Sequence, residues 1–159
     1  MASPLLVNLE DFDYTQLEYP IESIRQYIPH RFEMEQLNGV FRILKDERKA
    51  VGYRDVRDNE FWSRGHIPGR PLFPGVLMLE AGAQLATFMY KVLTGEDPNR
   101  FMGFGGLENV RFRGVVVPGD RLILIAHLVE ARSRRCTFDV QGVVNGKLVF
   151  ESRVLGLPV

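Results

Sequence analysis

The chain has 159 residues, of which 45% are hydrophobic and 25% are charged, and its formal net charge is zero. This length and composition fit a single soluble domain, residues 1–159, with a sizeable core. The zero net charge argues against nucleic acid as a partner. The chain has one cysteine, Cys136, so it cannot form an internal disulfide. This favours a reducing compartment, and no signal-peptide pattern is seen, so we expect a cytoplasmic protein.

The first thirty residues give two short predictions. Residues 1–19 are acidic and lack hydrophobic periodicity, so we expect them to form an amino-terminal arm. Residues 21–28 have apolar side chains on one side of a short amphipathic helix, which Pro29 ends. His30 follows at this break, and we expect it to have a structural role in closing the helix.

Six segments have the sequence pattern of a β-strand, two before residue 57 and four after residue 100. The first predicted strand is bent or bulged at Gly39, and Asn145-Gly146 is typical of a tight hairpin turn. The predicted strands cover residues 34–45, 50–56, 101–112, 121–131, 135–144 and 147–155.

One long helix is predicted between the second and third strands. Pro74 suits its first turn, an almost unbroken apolar run continues to Leu93, and Gly95 suits a left-handed stop. A helix that is apolar all round is buried all round. Its few polar residues lie on one stripe, at helical spacing: Glu80, Gln84, Thr87 and Lys91. Two strands, a buried helix and about four more strands predict an α+β fold in which an antiparallel sheet wraps the helix.

The amino-terminal end of this helix is the candidate site. His66 lies just before it in a loop rich in proline and glycine, and Glu80 lies inside it. A buried carboxylate is unfavourable unless it is paired, protonated or facing a cavity. We expect burial to raise the pKa of Glu80, unless Arg70 reaches it. From the residues alone, Glu80 as an ion-pair partner of Arg70 and Gln84 as a core amide stay open.

These segments resemble a known family. GHIPGRPLFPGVLMLEAGAQ (65–84), together with IPHRF (28–32) and VRFRGVVVPGDRL (110–122), is similar to the beta-hydroxyacyl-acyl-carrier-protein dehydratases of bacterial type II fatty-acid synthesis, the FabA and FabZ family. The resemblance covers roughly residues 21–155. It implies the hot-dog fold, in which a curled antiparallel sheet wraps a long central helix.

The resemblance also implies an activity. Such a hydro-lyase converts a (3R)-hydroxyacyl-acyl-carrier-protein to the trans-2-enoyl product, with His66 as the base and Glu80 as the acid. Gly75 would offer its backbone N–H to the thioester carbonyl, and Gln84 would support the site. The reaction needs no cofactor beyond the carrier arm, and no spacing typical of metal ligands is seen.

The family's assembly implies partners as well. The histidine and the acid of one site come from different subunits of a homodimer, and dimers often form a trimer of dimers. The substrate arrives on the phosphopantetheine of an acidic carrier protein. Five arginines are candidates for docking it, although they fit a solvated basic surface equally well: Arg111, Arg113, Arg132, Arg134 and Arg135. Polar residues within the central helix argue against a membrane span.

Other functions stay open. A hot-dog thioesterase, a hydratase acting on enoyl-coenzyme A, and a catalytically silent hot-dog binding module or partner subunit share the same fold. Ile67 replaces the phenylalanine usual in the family, and residues 34–39 depart from the usual run. These departures leave the preferred acyl chain length open.

Overall fold

The computed structural model describes residues 3–159, which form a seven-stranded antiparallel sheet and two α-helices. The short helix is α1 (Ile21–Ile24) and the long one is α2 (Gly75–Thr94). Two 3₁₀ turns lie at Leu9–Asp11 and Phe32–Met34. The strands are, in chain order, β1 (Tyr19–Pro20), β2 (Gly39–Leu44), β3 (Lys49–Asp55), β4 (Met102–Phe112), β5 (Arg121–Arg132), β6 (Arg135–Val144) and β7 (Lys147–Pro158).

The sheet curves around α2. Its strand order is β1-β2-β3-β5-β6-β7-β4, so the chain leaves the first half of the sheet after β3, passes through α2 and returns at the far edge as β4. The helix packs mainly against β3, β5 and β6. This arrangement confirms the predicted α+β class, with one long buried helix and an antiparallel sheet.

Local chemistry explains how α2 fits inside the sheet. Pro74 precedes its first turn, and Gly95 ends it in the left-handed conformation (φ 66°), which glycine adopts without steric cost. At Gly82, an added Cβ would lie 3.1 Å from Val140 Cγ2, so the absence of a side chain lets β6 approach the helix. The helix is long and apolar enough to span a membrane, as the core helix of a soluble protein can also be, and 72% of its 18-residue apolar stretch is buried within the protein.

The amino-terminal arm lies across the outer face of the sheet. The Leu6 N–H donates to Gln141 Oε1 (2.9 Å), and the Tyr14 ring packs edge-on against Phe41 with 5.0 Å between centroids. Between these two contacts, Val51 of β3 pairs with Ile125 of β5. Both residues are fully buried, although neither belongs to the main core cluster around α2. The arm thus shields apolar residues of a face that would otherwise meet water. Met1 and Ala2 of the predicted arm lie outside the described residues.

Two of the element boundaries predicted from the sequence are wrong. The helix predicted over 21–28 is regular only to Ile24, because the chain tightens into single turns before Pro29. The strand predicted over 34–45 begins only at Gly39. The backbone N–H of Gln36, which would pair in a strand, instead donates to a side chain of α2. The five later strands agree with prediction to within three residues.

Candidate active site

A cavity of about 150 Å³ lies between α2 and the strands at the β4 edge of the sheet. Its apolar wall comes from β4, β6 and β7 and includes the segment 101–104. Its polar wall contains three residues of the predicted polar stripe on α2: Glu80, Gln84 and Thr87. His30 completes this wall. Among residues 3–159, no cluster of three or more histidine, cysteine or acidic side chains is placed to hold a metal ion.

The Glu80 carboxyl is held through one of its two oxygens. Gln84 Nε2 donates to Oε1 at 2.9 Å, and His30 Nε2 lies 3.4 Å from the same atom. No described residue donates a hydrogen bond to Oε2. The side chain is 20% exposed, so the carboxyl is partly buried at the cavity wall.

The orientation of Gln84 is determined by its other contacts. Its Oε1 accepts from the Gln36 backbone N–H (2.9 Å), and its Nε2 also donates to the Met34 carbonyl (2.7 Å). An N–H cannot accept and a carbonyl cannot donate, so the amide can face only one way. Arg54 Nε donates in turn to the Gln36 side chain (3.0 Å), which extends a buried polar chain away from the cavity.

The environment lowers the pKa of Glu80. The largest cause is the interaction with His30, and hydrogen bonding from Gln84 acts in the same direction, while burial opposes both. Our expectation that burial would outweigh the other effects and raise the pKa of Glu80 is therefore wrong. Arg70 is exposed and forms no ion pair with Glu80 among the described residues, so the lowering of the pKa comes from the His30 imidazole and the Gln84 amide.

His30 is the site residue that the sequence reasoning placed elsewhere. It does not close α1, which ends at Ile24 with Arg25 as its cap; instead it lines the cavity, and its Nδ1 is buried without a hydrogen-bond partner among the described residues. The signal was present in the IPHRF segment that carries the family resemblance. Periodicity could not show that this segment folds against the first turns of α2.

His66 is oriented by the loop that precedes α2. Its Nδ1 lies 2.8 Å from the Leu72 carbonyl, and the Leu72 N–H donates back to the His66 carbonyl (2.8 Å). A carbonyl only accepts, so Nδ1 carries the proton and Nε2 carries the free lone pair. The side chain is exposed and does not line the cavity that contains Glu80. Within one chain, the structure does not bring these two predicted residues into one pocket.

Gly75 begins α2, as expected. Neither its N–H nor that of Val76 is hydrogen-bonded to any described residue, so both donors point away from the helix unpaired. A Cβ at position 75 would lie 2.8 Å from Phe112 Cε1. The absence of a side chain therefore lets the Phe112 ring lie against the start of α2.

The five candidate docking arginines form two groups. Arg111 and Arg113 lie at the end of β4 beside Glu151 of β7, to which Arg113 donates (2.6 Å). The other three, Arg132, Arg134 and Arg135, lie at the β5–β6 hairpin, next to Gly156 of β7. Five residues of β7 separate these positions, about 16 Å at the usual rise per residue. A single chain does not bring all five into one patch.

Comparison with protein families identifies a FabA-like domain over residues 28–153. The chain belongs to the FabA-like family. It is 34% identical over 137 residues to the 3-hydroxyacyl-acyl-carrier-protein dehydratase FabZ of Acinetobacter baylyi, covering 85% of this chain and 91% of that protein. It is 37% identical over 130 residues to FabZ of Acinetobacter baumannii, covering 78% and 88%. The resemblance stated from the sequence is confirmed.

A solved structure agrees on the fold. The dehydratase heterocomplex ApeI:P from Xenorhabdus doucetiae matches with a TM-score of 0.72 over 86% of this chain and 90% of that chain. Sequence identity is 16%, so this likeness concerns the fold alone. A long central helix wrapped by an antiparallel sheet is the hot-dog architecture, and that prediction is also confirmed.

Proposed function

We propose that this FabA-like protein dehydrates (3R)-hydroxyacyl groups carried on an acyl carrier protein to trans-2-enoyl groups. The observation that carries the proposal is the Glu80 carboxyl, held at one oxygen on the wall of a largely apolar cavity. An acyl chain needs such an apolar wall, and the departing hydroxyl needs a proton donor. FabZ relatives at about one-third identity support the class of reaction.

His66 is the base of the proposed reaction. Its Nε2 lone pair removes the proton from the carbon beside the thioester carbonyl, and the Leu72 carbonyl stabilises the imidazolium that results by accepting from Nδ1. Histidine is the side chain most often used as a general base in enzymes. The free N–H groups at the start of α2 stabilise the negative charge that develops on the thioester oxygen.

Glu80 is the acid that completes the step. It gives its proton to the oxygen on the next carbon, the carbon–oxygen bond breaks, and water and the carbon–carbon double bond are formed. The lowered pKa of Glu80 favours the carboxylate in the empty cavity. An acyl chain that fills the cavity displaces water from the carboxyl, and desolvation favours the protonated form needed for this role.

A second copy of the chain supplies the missing half of the site. His66 is exposed on its own chain and absent from the Glu80 cavity, so we propose that a partner's His66 faces Glu80 in a dimer. The edge strand β4 supports this assembly. It pairs only with β7 among the described residues and exposes three large apolar side chains, Phe104, Leu107 and Phe112. Phe101, which directly precedes the strand, is exposed as well. A trimer of dimers would be the next level of assembly, in the cytoplasm.

The direct test is product analysis. The purified protein is given 3-hydroxyacyl thioesters of several chain lengths on carrier protein and on coenzyme A. We expect enoyl thioester as the product, with carrier-bound substrate preferred. Release of free thiol would instead identify a thioesterase. Preference for the coenzyme A substrates would identify a hydratase, and binding without turnover would identify a catalytically silent partner subunit. His66→Ala and Glu80→Gln should each lower the rate by roughly 10²- to 10⁴-fold.

Mixing the two variants tests whether the site is shared. In an isologous dimer, a mixed pair of His66→Ala and Glu80→Gln chains rebuilds one intact site and leaves the other doubly altered. Random exchange of subunits should therefore restore about one quarter of the wild-type activity. If both residues act within one chain, mixing restores nothing.

A further inference from the structure

We propose that His30 is a positioning residue for Glu80, which together with Gln84 holds Oε1 and leaves Oε2 as the oxygen that exchanges a proton with the substrate. The proposal rests on the proposed function for the identity of the reaction. It adds a residue that the family motif of His66 and Glu80 does not include.

The two oxygens of Glu80 have different surroundings. Oε1 receives the Gln84 amide at 2.9 Å and faces His30 Nε2 at 3.4 Å, whereas no described residue donates to Oε2. A proton on Oε1 would point at groups that themselves carry protons. When Glu80 is protonated, its proton therefore belongs on Oε2.

The tautomer of His30 follows from burial. Its Nδ1 is buried and has no hydrogen-bond partner among the described residues. A buried N–H without a partner is unfavourable, because it has lost its hydrogen bond to water. The neutral ring is therefore best protonated at Nε2, the nitrogen that lies 3.4 Å from Glu80 Oε1. In this proposal His30 is the longer-range donor to Oε1, and Gln84 is the direct one at 2.9 Å.

His30 is held in place through its backbone. Arg31 Nη1 donates to the His30 carbonyl (2.7 Å) and to the Ile28 carbonyl (2.9 Å), while Arg31 Nη2 donates to the Arg25 carbonyl (2.9 Å). One guanidinium thus ties His30 to the end of α1. Because the imidazole and the Gln84 amide come from different elements, their convergence on one oxygen restricts rotation of the carboxyl.

This restriction matters for proton transfer. A carboxyl held at one oxygen presents the other in a constant direction, and displacement of a catalytic group by about 1 Å can cost on the order of 10²-fold in rate. We expect loss of the His30 donor to lower kcat by about 10- to 100-fold with little change in KM. It should also shift the titration of Glu80.

The test compares two variants of nearly equal size. His30→Gln keeps an N–H donor near the position of Nε2, whereas His30→Leu removes it. The pKa of Glu80 is measured in the substrate-free protein by carbon-13 NMR of its carboxyl carbon, assigned by comparison with Glu80→Gln. Steady-state rates are measured across pH on the same preparations.

We expect the pKa of Glu80 to rise in His30→Leu and to stay close to the wild-type value in His30→Gln. The limb of the rate profile that reports protonated Glu80 should move to higher pH in His30→Leu only. A purely structural role would lower the rate equally at every pH. If His30→Leu does not fold, His30→Asn replaces it, because the Asn amide overlays Nδ1 and does not reach Oε1.

The outcomes separate the two proposals. An unchanged Glu80 pKa in His30→Leu, with dehydration intact, would overturn the role of His30 and leave the proposed function standing. A raised pKa in a protein that dehydrates no substrate would reject the proposed function while keeping the contact between His30 and Glu80. Equal rates for His30→Leu and wild type would also overturn the proposal.

Discussion

Gln84 lies one helical turn after Glu80 on α2 and donates to its Oε1 at 2.9 Å. The same amide connects the helix to the segment before β2 through two backbone contacts. One side chain therefore joins the candidate acid to the part of the chain that leads into the sheet. Stability and activity should both depend on it.

Replacing Gln84 by leucine should destabilise the fold by about 1–3 kcal/mol, because the buried Gln36 N–H would lose its partner and the part-buried Met34 carbonyl would lose its contact with Gln84. Urea unfolding at neutral pH measures the change. Thr87→Val is the matched control on the same stripe, since the Thr87 hydroxyl makes no hydrogen bond among the described residues. A cost for Gln84→Leu no larger than that of the control would contradict this interpretation.

The lowered pKa of Glu80 makes stability depend on acid pH. Its folded-state pKa lies below the ordinary value of 4.5, so the folded protein binds this proton less readily than the unfolded chain. The resulting stabilisation is fully present above pH 4.5 and is lost as the pH falls through the folded-state pKa. Relative to Glu80→Gln, the wild type should therefore lose unfolding free energy on acidification, measured by urea titrations at a series of pH values. A constant difference would show that the pKa is not lowered.

Substitution of Lys91 tests which contacts hold the carboxyl-terminal end of α2 in place. This buried side chain donates to the carbonyls of Tyr27 (2.9 Å) and Pro98 (2.8 Å), joining α2 to the end of α1 and to the loop before β4. Lys91→Met leaves both carbonyls unpaired and should cost about 1–3 kcal/mol at neutral pH in urea unfolding.

Lys91 also makes stability depend on pH, in the alkaline range and with the same sign as Glu80. Burial lowers the pKa of Lys91 below its ordinary 10.5, so the unfolded chain holds this proton more tightly than the folded one. Stability contributed at this position therefore rises with pH until about 10.5 is reached. The gap between wild type and Lys91→Met should widen between neutral and alkaline pH. A gap that narrows would mean that the ammonium is stabilised by its surroundings.

Removal of residues 1–13 should uncover Val51 and Ile125 on the outer face of the sheet. The exposed apolar surface lowers unfolding free energy and promotes association. Thermal unfolding and light scattering report these two effects. Gln141→Leu is the finer variant, because it removes the two contacts that hold the arm at Pro4 and Leu6 while keeping the arm. Unchanged stability in both variants would show that the arm does not shield this face.

Charge reversal can decide between the two arginine groups as carrier contacts. One variant changes Arg132, Arg134 and Arg135 to glutamate, and the other changes Arg111 alone. The group that docks an acidic carrier should, when reversed, raise KM for carrier-bound substrate about tenfold or more and leave coenzyme A-bound substrate unaffected. Equal effects on both substrates would indicate damage to the site and not to docking.

The sequence predicted the elements that depend on local pattern and missed those that depend on distant contacts. The apolar run before Gly95 was enough to predict α2, and Asn145-Gly146 was enough to predict the last hairpin. The position of His30 and the pKa of Glu80 required knowledge of which segments meet, because the decisive partners are 50 residues apart. Gln36 illustrates the same limit. Its strand-like sequence gave no sign that its N–H would bond to a glutamine of α2.

The cavity is enclosed by two surfaces with unequal tolerance to change. On one side, α2 carries Glu80 and Gln84 while its other faces fill the core, so substitutions there disturb folding and chemistry together. On the other side, the segment 101–104 leads into the edge strand β4 and is partly exposed, with Phe104 at 49%. Adaptation to acyl groups of different length should therefore accumulate in this segment. A library confined to these four positions would be an economical starting point for altering substrate range.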